Sequence, residues 1–93
     1  MEREEKAWPS LGELVPVRTL LEDPEVLRVF PGPGALEWEL RQHRREYVAA
    51  GAIFEIGRRL LAHPATFKRT ALLIGMQRLA ERIGADASAR AFT

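Results

Sequence analysis

The chain has 93 residues, of which 46% are hydrophobic, with 14 basic and 13 acidic side chains, and this length and composition suit one small soluble domain. Because it contains no cysteine and only two separated histidines, we expect no disulfide, no metal site and no cofactor. The apolar runs fall far short of the ~20 residues that cross a bilayer, and the charged start MEREEK has no signal-peptide pattern, so we predict a cytoplasmic protein without a membrane segment.

Composition divides the chain into an arm, a body and a tail. Residues 1–13 are polar and predict a flexible N-terminal arm, from which Trp8 is able to dock on the body. The stretch GADASARAFT at residues 84–93 is small and polar, and it predicts a disordered tail. Residues 14–83 are therefore expected to form the folded domain.

The front of this domain predicts two short helices. Residues 17–21 are apolar and can make one or two helical turns, after which the chain reads DPEVLRVF. In that stretch Asp23 is a suitable N-cap, and the proline and glutamate that follow it favour a first helical turn. The sequence PGPG at residues 31–34 then breaks regular structure. Four apolar side chains of the second helix are expected to face a core: Val26, Leu27, Val29 and Phe30.

A longer helix is predicted from Ala35 to Ala50, with Gly51 as a left-handed cap. At about 100° per residue, one narrow stripe of this helix is expected to pack against a core while the opposite side stays charged. The packing stripe comprises Leu36, Leu40, His43, Tyr47 and Ala50. The opposite side carries Trp38, Arg41, Gln42 and Arg45, with Arg44 at the flank.

The second half of the domain predicts a small hairpin and a long helix. Residues 52–56 and 60–62 read as two short strands joined over Gly57, Arg58 and Arg59, because glycine supplies the backbone angles of a tight turn. The last helix is predicted from Ala65 to about Ile83. Its packing residues are expected to be Phe67, Ala71 and Ile74, and a second apolar stripe is formed by Leu72, Met76, Leu79 and Ile83.

Nothing in the sequence predicts catalysis. His43 and His63 have no cysteine partner, and the chain has no glycine-rich phosphate loop, no paired metal-ligand spacing and no nucleophile elbow. His43 lies on the apolar stripe of its helix and is expected to be a partly buried packing residue. His63 precedes Pro64 and is expected to belong to the connection between the hairpin and the last helix. We therefore predict that the protein is not an enzyme.

The charge distribution instead favours an anionic partner. Residues 1–40 hold four basic and nine acidic side chains, whereas residues 41–93 hold ten basic and four acidic ones. Arginine can bind guanine and glutamine can bind adenine, so the charged side of the long helix is suited to a DNA groove. The alternative is that the charged side of this helix and the arginines of the hairpin turn are simply exposed to water and bind no partner. For Trp38, packing against VLRVF is favoured over stacking on a sugar and base.

Four sequence features together resemble a known family. These are the opening LVPVRTLL, the break before GALEWELRQHRREYVAAGAI, the stretch IGRRLLAHPATF, and the helix after it. From Val15 to about Ala71 the chain resembles the excisionase-like DNA-binding proteins of mobile genetic elements, which share the winged helix-turn-helix fold of MerR-type regulators. It departs from the usual form at PGPG, which replaces a compact turn, and in the length of its last helix.

The resemblance implies a mainly α-helical fold with a small β-hairpin, in which the helix before the hairpin enters the major groove and the hairpin arginines contact the DNA backbone. The implied DNA-binding residues are Arg41, Gln42, Arg44, Arg45, Arg58 and Arg59, to which we add Lys68 and Arg69 at the start of the last helix. The fold class expected for this chain is thus a winged helix-turn-helix with a long C-terminal helix.

The predicted function is sequence-specific binding of double-stranded DNA, as a recombination directionality factor or as a transcription regulator of a phage, plasmid or integrative element. The alternative is an interaction module that binds a recombinase or a polymerase subunit without touching DNA. The stripe Leu72, Met76, Leu79 and Ile83 predicts a homodimer through the last helix. Its alternative is that the stripe folds back onto the domain and covers the N-terminal arm.

Overall fold

The chain folds into a mainly helical structure with a small antiparallel sheet and a long C-terminal helix. The computed structural model describes the backbone of residues 9–91 and the side chains of residues 9–84. The α-helices are α1 (Pro24–Val29), α2 (Pro33–Gln42), α3 (Arg44–Ala49) and α4 (Pro64–Ala91), and two 3-10 helices span Leu11–Glu13 and Val17–Glu22. The strands are β1 (Val15–Pro16), β2 (Ile53–Ile56) and β3 (Arg59–Ala62).

The start of α1 confirms the predicted capping. The Asp23 side chain accepts a hydrogen bond from the backbone N–H of Glu25 at 2.9 Å, and Pro24 occupies the first turn, where its missing N–H costs nothing. Only part of the predicted core face of α1 is buried. Val26 is buried and Phe30 packs against the core, whereas Leu27 and Val29 are exposed because a helix of six residues presents one narrow face to the body.

The predicted long helix is two helices. It begins earlier, at Pro33, and the helical conformation is interrupted at His43, which has φ −124° and ψ 34°. Backbone bonds from His43 N–H to Glu39 and from Tyr47 N–H to the His43 carbonyl keep α2 and α3 joined across this interruption. Of the predicted packing stripe, Leu36, Leu40 and Tyr47 are buried, His43 is half-buried and Ala50 is exposed. Gly51 has a φ of 80°, which confirms the left-handed cap.

The predicted hairpin is confirmed, and it belongs to a sheet with a third strand. The strand order is β1-β3-β2, and both pairs are antiparallel. Strand β1 pairs Val15 with Ala62 and Pro16 with Leu61, which the sequence did not predict. The turn consists of Gly57 and Arg58 alone, both with positive φ, so β3 begins one residue earlier than predicted.

Three aromatic rings pack together in the core between the helices. The Tyr47 and Phe67 rings are stacked with centroids 5.0 Å apart, and the Phe30 ring is 5.9 Å from that of Phe67. Phe67 and Ile74 of α4 are buried and Ala71 packs beside them, as predicted. The remaining core residues are Leu20, Val26, Leu36, Leu40, Ala52, Ile53 and Ala62.

Helix α4 continues to Ala91, past the predicted end at Ile83 and through most of the stretch predicted as a tail. Among the described residues, no helix combines the length and the apolar content needed to cross a membrane. The predicted docking of Trp8 concerns residues 1–8, which lie outside the described part of the chain.

Candidate nucleic-acid interface

A groove lies between helices α2 and α3 and the β2–β3 hairpin. Apolar side chains from all of these elements line it, among them Leu40, Val48, Ile53 and Leu60. Two arginines line it as well: Arg44 at the start of α3 and Arg58 at the tip of the hairpin. The structure thus brings together one arginine from the predicted DNA-binding helix and one from the predicted hairpin tip.

A second groove adjoins the first on the side of the 3-10 helix Val17–Glu22. Arg18 of that helix, Arg41 of α2 and Arg44 of α3 line it. The two grooves adjoin each other, because Leu40, Arg44 and Leu60 line both of them. We call the resulting surface the basic face, and its members are Arg18, Arg41, Arg44 and Arg58.

The charge of the basic face is not neutralised within the described residues. None of its four arginines forms an ion pair with a carboxylate among residues 9–84. Two carboxylates, those of Glu37 and Glu55, line the same grooves. Four cations against two anions leave a net positive surface, which attracts an anionic ligand at low salt.

The hairpin separates its two arginines. Arg59 pairs with Ile56 in the antiparallel register, whereas Leu60 pairs with Glu55. Because successive residues of a strand point to opposite faces, Arg59 lies on the face of the sheet opposite to the one on which Leu60 lines the grooves. Arg58, in the turn, lines the first groove instead. The two hairpin arginines that were predicted to contact the DNA backbone therefore lie on different sides of the hairpin.

The backbone of Arg58 is strained. Its φ of 66° is in the left-handed region, and it is the one described non-glycine residue with positive φ. A side chain there costs roughly 1 kcal/mol relative to glycine, and two-residue hairpin turns favour asparagine or glycine. Folding alone therefore favours glycine at this position, so the arginine is a candidate for a functional role.

The other predicted DNA-binding residues are not part of the basic face. Gln42 and Arg45 are exposed near the α2–α3 junction, and Arg69 is exposed on α4. Trp38 is 51% exposed, so its indole is not buried, and its expected packing against VLRVF stays a prediction. Its position on α2 leaves the ring available to a ligand.

Lys68 has partners inside the protein. Its Nζ donates to Asp23 Oδ2 at 2.8 Å and to Glu25 Oε1 at 3.1 Å. The hydrogen bond from Lys68 is the main cause that lowers the pKa of Asp23 below its usual 3.8, and the bond to Asp23 raises the pKa of Lys68 above 10.5. Lys68 thus links α4 to the N-terminus of α1, and its positive charge is already paired with two carboxylates of the protein.

Both histidines contact polar side chains of the protein. His63 lies between β3 and α4, as predicted; its Nδ1 is 2.6 Å from Thr66 Oγ1 and its Nε2 is 3.3 Å from Glu13 Oε1. His43 is half-buried, with Nδ1 3.8 Å from Glu46 Oε2. Within residues 9–84, no group of three or more histidine, aspartate or glutamate side chains is placed to hold a metal ion.

The stripe predicted for self-association is exposed. The exposed fractions are 70% for Leu72, 66% for Met76, 54% for Leu79 and 58% for Ile83, and we call these four residues the apolar strip. The alternative prediction, that the strip folds back onto the domain, is not met among the described residues. The strip therefore has no cover within the part of the chain that the structure describes.

Sequence reasoning missed Arg18 as a candidate ligand-binding residue. It sits in the predicted first helix, and no local pattern marks it, because its place beside Arg41 depends on how the 3-10 helix packs against α2.

Comparison of the chain with known protein families, with characterised proteins and with solved structures gives no match. The resemblance to excisionase-like proteins therefore stays a prediction, and the functional argument depends on the site.

Proposed function

We propose that the protein binds double-stranded DNA through the basic face. The observation that carries this proposal is that four arginines without carboxylate partners among the described residues, from four separate elements, line two adjoining grooves. Cations spread over a surface can replace the counterions of several phosphates at once, which is the main source of affinity for DNA. In this proposal the protein has no catalytic step of its own.

The proposed mode of binding is that of a winged helix-turn-helix. In it, helices α2 and α3 approach the major groove while the tip of the β2–β3 hairpin lies beside them on the backbone. Arg44 and Arg58 then hold the same stretch of phosphates, since both line the first groove. Exposed Gln42 and Arg45 are the candidates for reading bases, because an amide can pair with adenine and a guanidinium with guanine.

The experiment is a salt series of duplex binding, measured by fluorescence anisotropy on a mixed-sequence duplex. We expect affinity to fall steeply between 50 and 200 mM salt, because each phosphate contact contributes about one unit to the salt slope. Arg44→Ala should lower the slope by about one and weaken binding about tenfold, since Arg44 lines both grooves. Arg78→Ala removes the same charge from an exposed site on α4 and is the matched control. Equal losses in both variants would contradict the basic face.

Arg58→Gly separates function from folding. Glycine adopts the φ of 66° without strain, so we expect the variant to be at least as stable as the parent in thermal unfolding. If Arg58 holds a phosphate, the same variant should bind DNA more weakly and show a shallower salt slope. Unchanged affinity would mean that the hairpin tip is not a DNA contact.

Two finer roles follow from the family resemblance alone: a recombination directionality factor, and a transcription regulator of a mobile element. The second candidate function is an interaction module that binds another protein, such as a recombinase or polymerase subunit. The observation that favours it is the apolar lining of the first groove, where Val48 and Leu60 are exposed. Salt-independent binding of the protein to such a partner, with no duplex binding at 50 mM salt, would favour this module over DNA binding.

A further inference from the structure

We propose that the protein forms an antiparallel homodimer in which α4 pairs with α4 of a second copy along the apolar strip. This pairing does not depend on DNA binding. It concerns Leu72, Met76, Leu79 and Ile83, which are all more than half exposed. A second copy of the chain is the partner, because the strip fits a copy of itself in size, spacing and charge.

The size of the surface fits a dimer. Leu73 is also half exposed and adjoins the strip, so five large apolar side chains lie together on three turns of one helix. Monomeric proteins rarely expose a continuous apolar patch of this kind. Full burial of these five side chains in two copies would remove on the order of 1,000 Å² from water, which is about the smallest area expected of a biological interface.

The spacing of the strip is that of a helix pair. Its members are separated by four, three and four residues, which is the alternation of the two seam positions in a heptad repeat. In an antiparallel pair, unlike seam positions meet. Met76 then faces Leu79 of the second copy, and Leu72 faces Ile83 of the second copy. Gly75 and Ala80 lie beside the seam and let the two helices approach closely.

Charge favours the antiparallel direction. Arg69 occupies the seam position one turn before Leu72 in the same repeat, and it is exposed. A parallel pair would place the two copies of Arg69 opposite each other, and like charges at a seam oppose pairing. An antiparallel pair separates them by most of the length of the seam.

A groove on the body of the protein can bind the end of the partner helix. A groove between α1 and α4, lined by Val29, Phe30 and Leu72 among others, adjoins the first residue of the strip. Val29 is 64% exposed there. In the antiparallel pair Ile83 of the second copy lies at this end of the seam, so it can pack against the groove. Each copy contributes one groove and one helix end.

Sedimentation of the full chain tests the dimer. The monomer mass is 10.5 kDa, and we expect the parent to sediment with twice that mass at micromolar concentration. Leu79→Glu should restore the monomer mass, and Val29→Glu should weaken association at least tenfold. Gln77→Glu, which adds the same charge to an exposed site of α4 away from the strip, should leave the dimer intact. Circular dichroism would show that all three variants retain their helices, since the changed positions are exposed. A parent that stays monomeric at 100 μM would overturn the proposal, as would equal dissociation of Leu79→Glu and Gln77→Glu.

Disulfide trapping tests the direction, because the natural chain has no cysteine. An equal mixture of the Leu72→Cys and Ile83→Cys variants should cross-link under mild oxidation far more than either variant alone. Met76→Cys alone should cross-link poorly, since each copy faces Leu79 of the other. Efficient cross-linking of Met76→Cys, without cross-linking of the mixture, would overturn the antiparallel arrangement.

Discussion

Two parts of α4 differ sharply although they belong to one continuous helix. In the attached part, residues 64–74, Phe67, Thr70 and Ile74 are buried and Lys68 is bonded to α1. In the projecting part, residues 75–84, every residue is exposed. Seven of its ten residues are of types that favour helix without help from packing (methionine, glutamine, arginine, leucine, alanine and glutamate), although it also contains two glycines. The comparison shows that an apolar stripe at helical spacing need not pack against the body of its own chain.

The largest expected effect is the loss of the aromatic ring that anchors the attached part. Phe67→Ala removes a fully buried side chain that stacks on Tyr47 and contacts Phe30. We expect the free energy of unfolding to fall by about 3–5 kcal/mol, which is a large share of the stability of so small a domain. Urea denaturation, followed by circular dichroism at a concentration below the dimer range, measures this change.

The same experiment on the projecting part provides the contrast. Leu79→Ala shortens an exposed side chain, so the free energy of unfolding of the monomer should change by less than about 0.5 kcal/mol. A loss of several kcal/mol at low concentration would mean that the projecting part packs on its own body, and the comparison between the two parts would fail.

A smaller effect is expected from the hydrogen bond across the α2–α3 interruption. The Tyr47 hydroxyl donates to Glu39 Oε2 at 2.8 Å, and burial together with this bond raises the pKa of Tyr47 well above its usual 10.0. Tyr47→Phe keeps the ring stack under α4 but removes the bond. The free energy of unfolding should fall by about 1–1.5 kcal/mol. A double-mutant cycle with Glu39→Ala, which removes the acceptor, measures the coupling between the two side chains, and zero coupling would contradict this assignment.

The pKa of Tyr47 adds a pH dependence with a definite sign. In the unfolded chain the phenol loses its proton near pH 10, whereas in the folded protein it keeps it to higher pH. Stability should therefore decline as pH rises above about 10. Tyr47→Phe should have a shallower decline than the parent in thermal unfolding, although Lys68 adds its own decline above pH 10.5 in both proteins.

Local patterns predicted the parts of the fold that depend on neighbours in sequence. The Asp23 cap, the buried stripe of Leu36 and Leu40, and the buried face of Phe67 and Ile74 all follow from spacing and capping preferences. The spacing also predicts the apolar strip. It does not decide whether a second copy of the chain or the body of the same chain covers the strip. Spacing defines a face of a helix, and only the packing of the whole chain decides what covers that face.

Long-range contacts account for what the sequence did not predict. The two-residue strand β1 is too short to have a pattern, and its partner Ala62 is 47 residues away from Val15. The same is true of Lys68, whose partner Asp23 is separated from it by 45 positions. No proline or glycine marks the interruption at His43, so periodicity alone predicts one helix there. Arg18 joins the basic face only once α2 is packed beside it.

The smallest expected effect concerns the ion pair that ties the attached part of α4 to α1. The bond from Lys68 lowers the pKa of Asp23, so Asp23 stabilises the fold above its unfolded pKa of 3.8, and this contribution is lost as pH falls through the folded value. Lys68→Met should therefore make thermal stability less sensitive to acid below about pH 4, whereas Lys68→Arg should retain most of the sensitivity. The pair is at the surface, so the difference should also shrink at high salt. If the parent and Lys68→Met showed the same acid dependence, the hydrogen bond from the Glu25 N–H, and not the ion pair with Lys68, would be what lowers the pKa of Asp23.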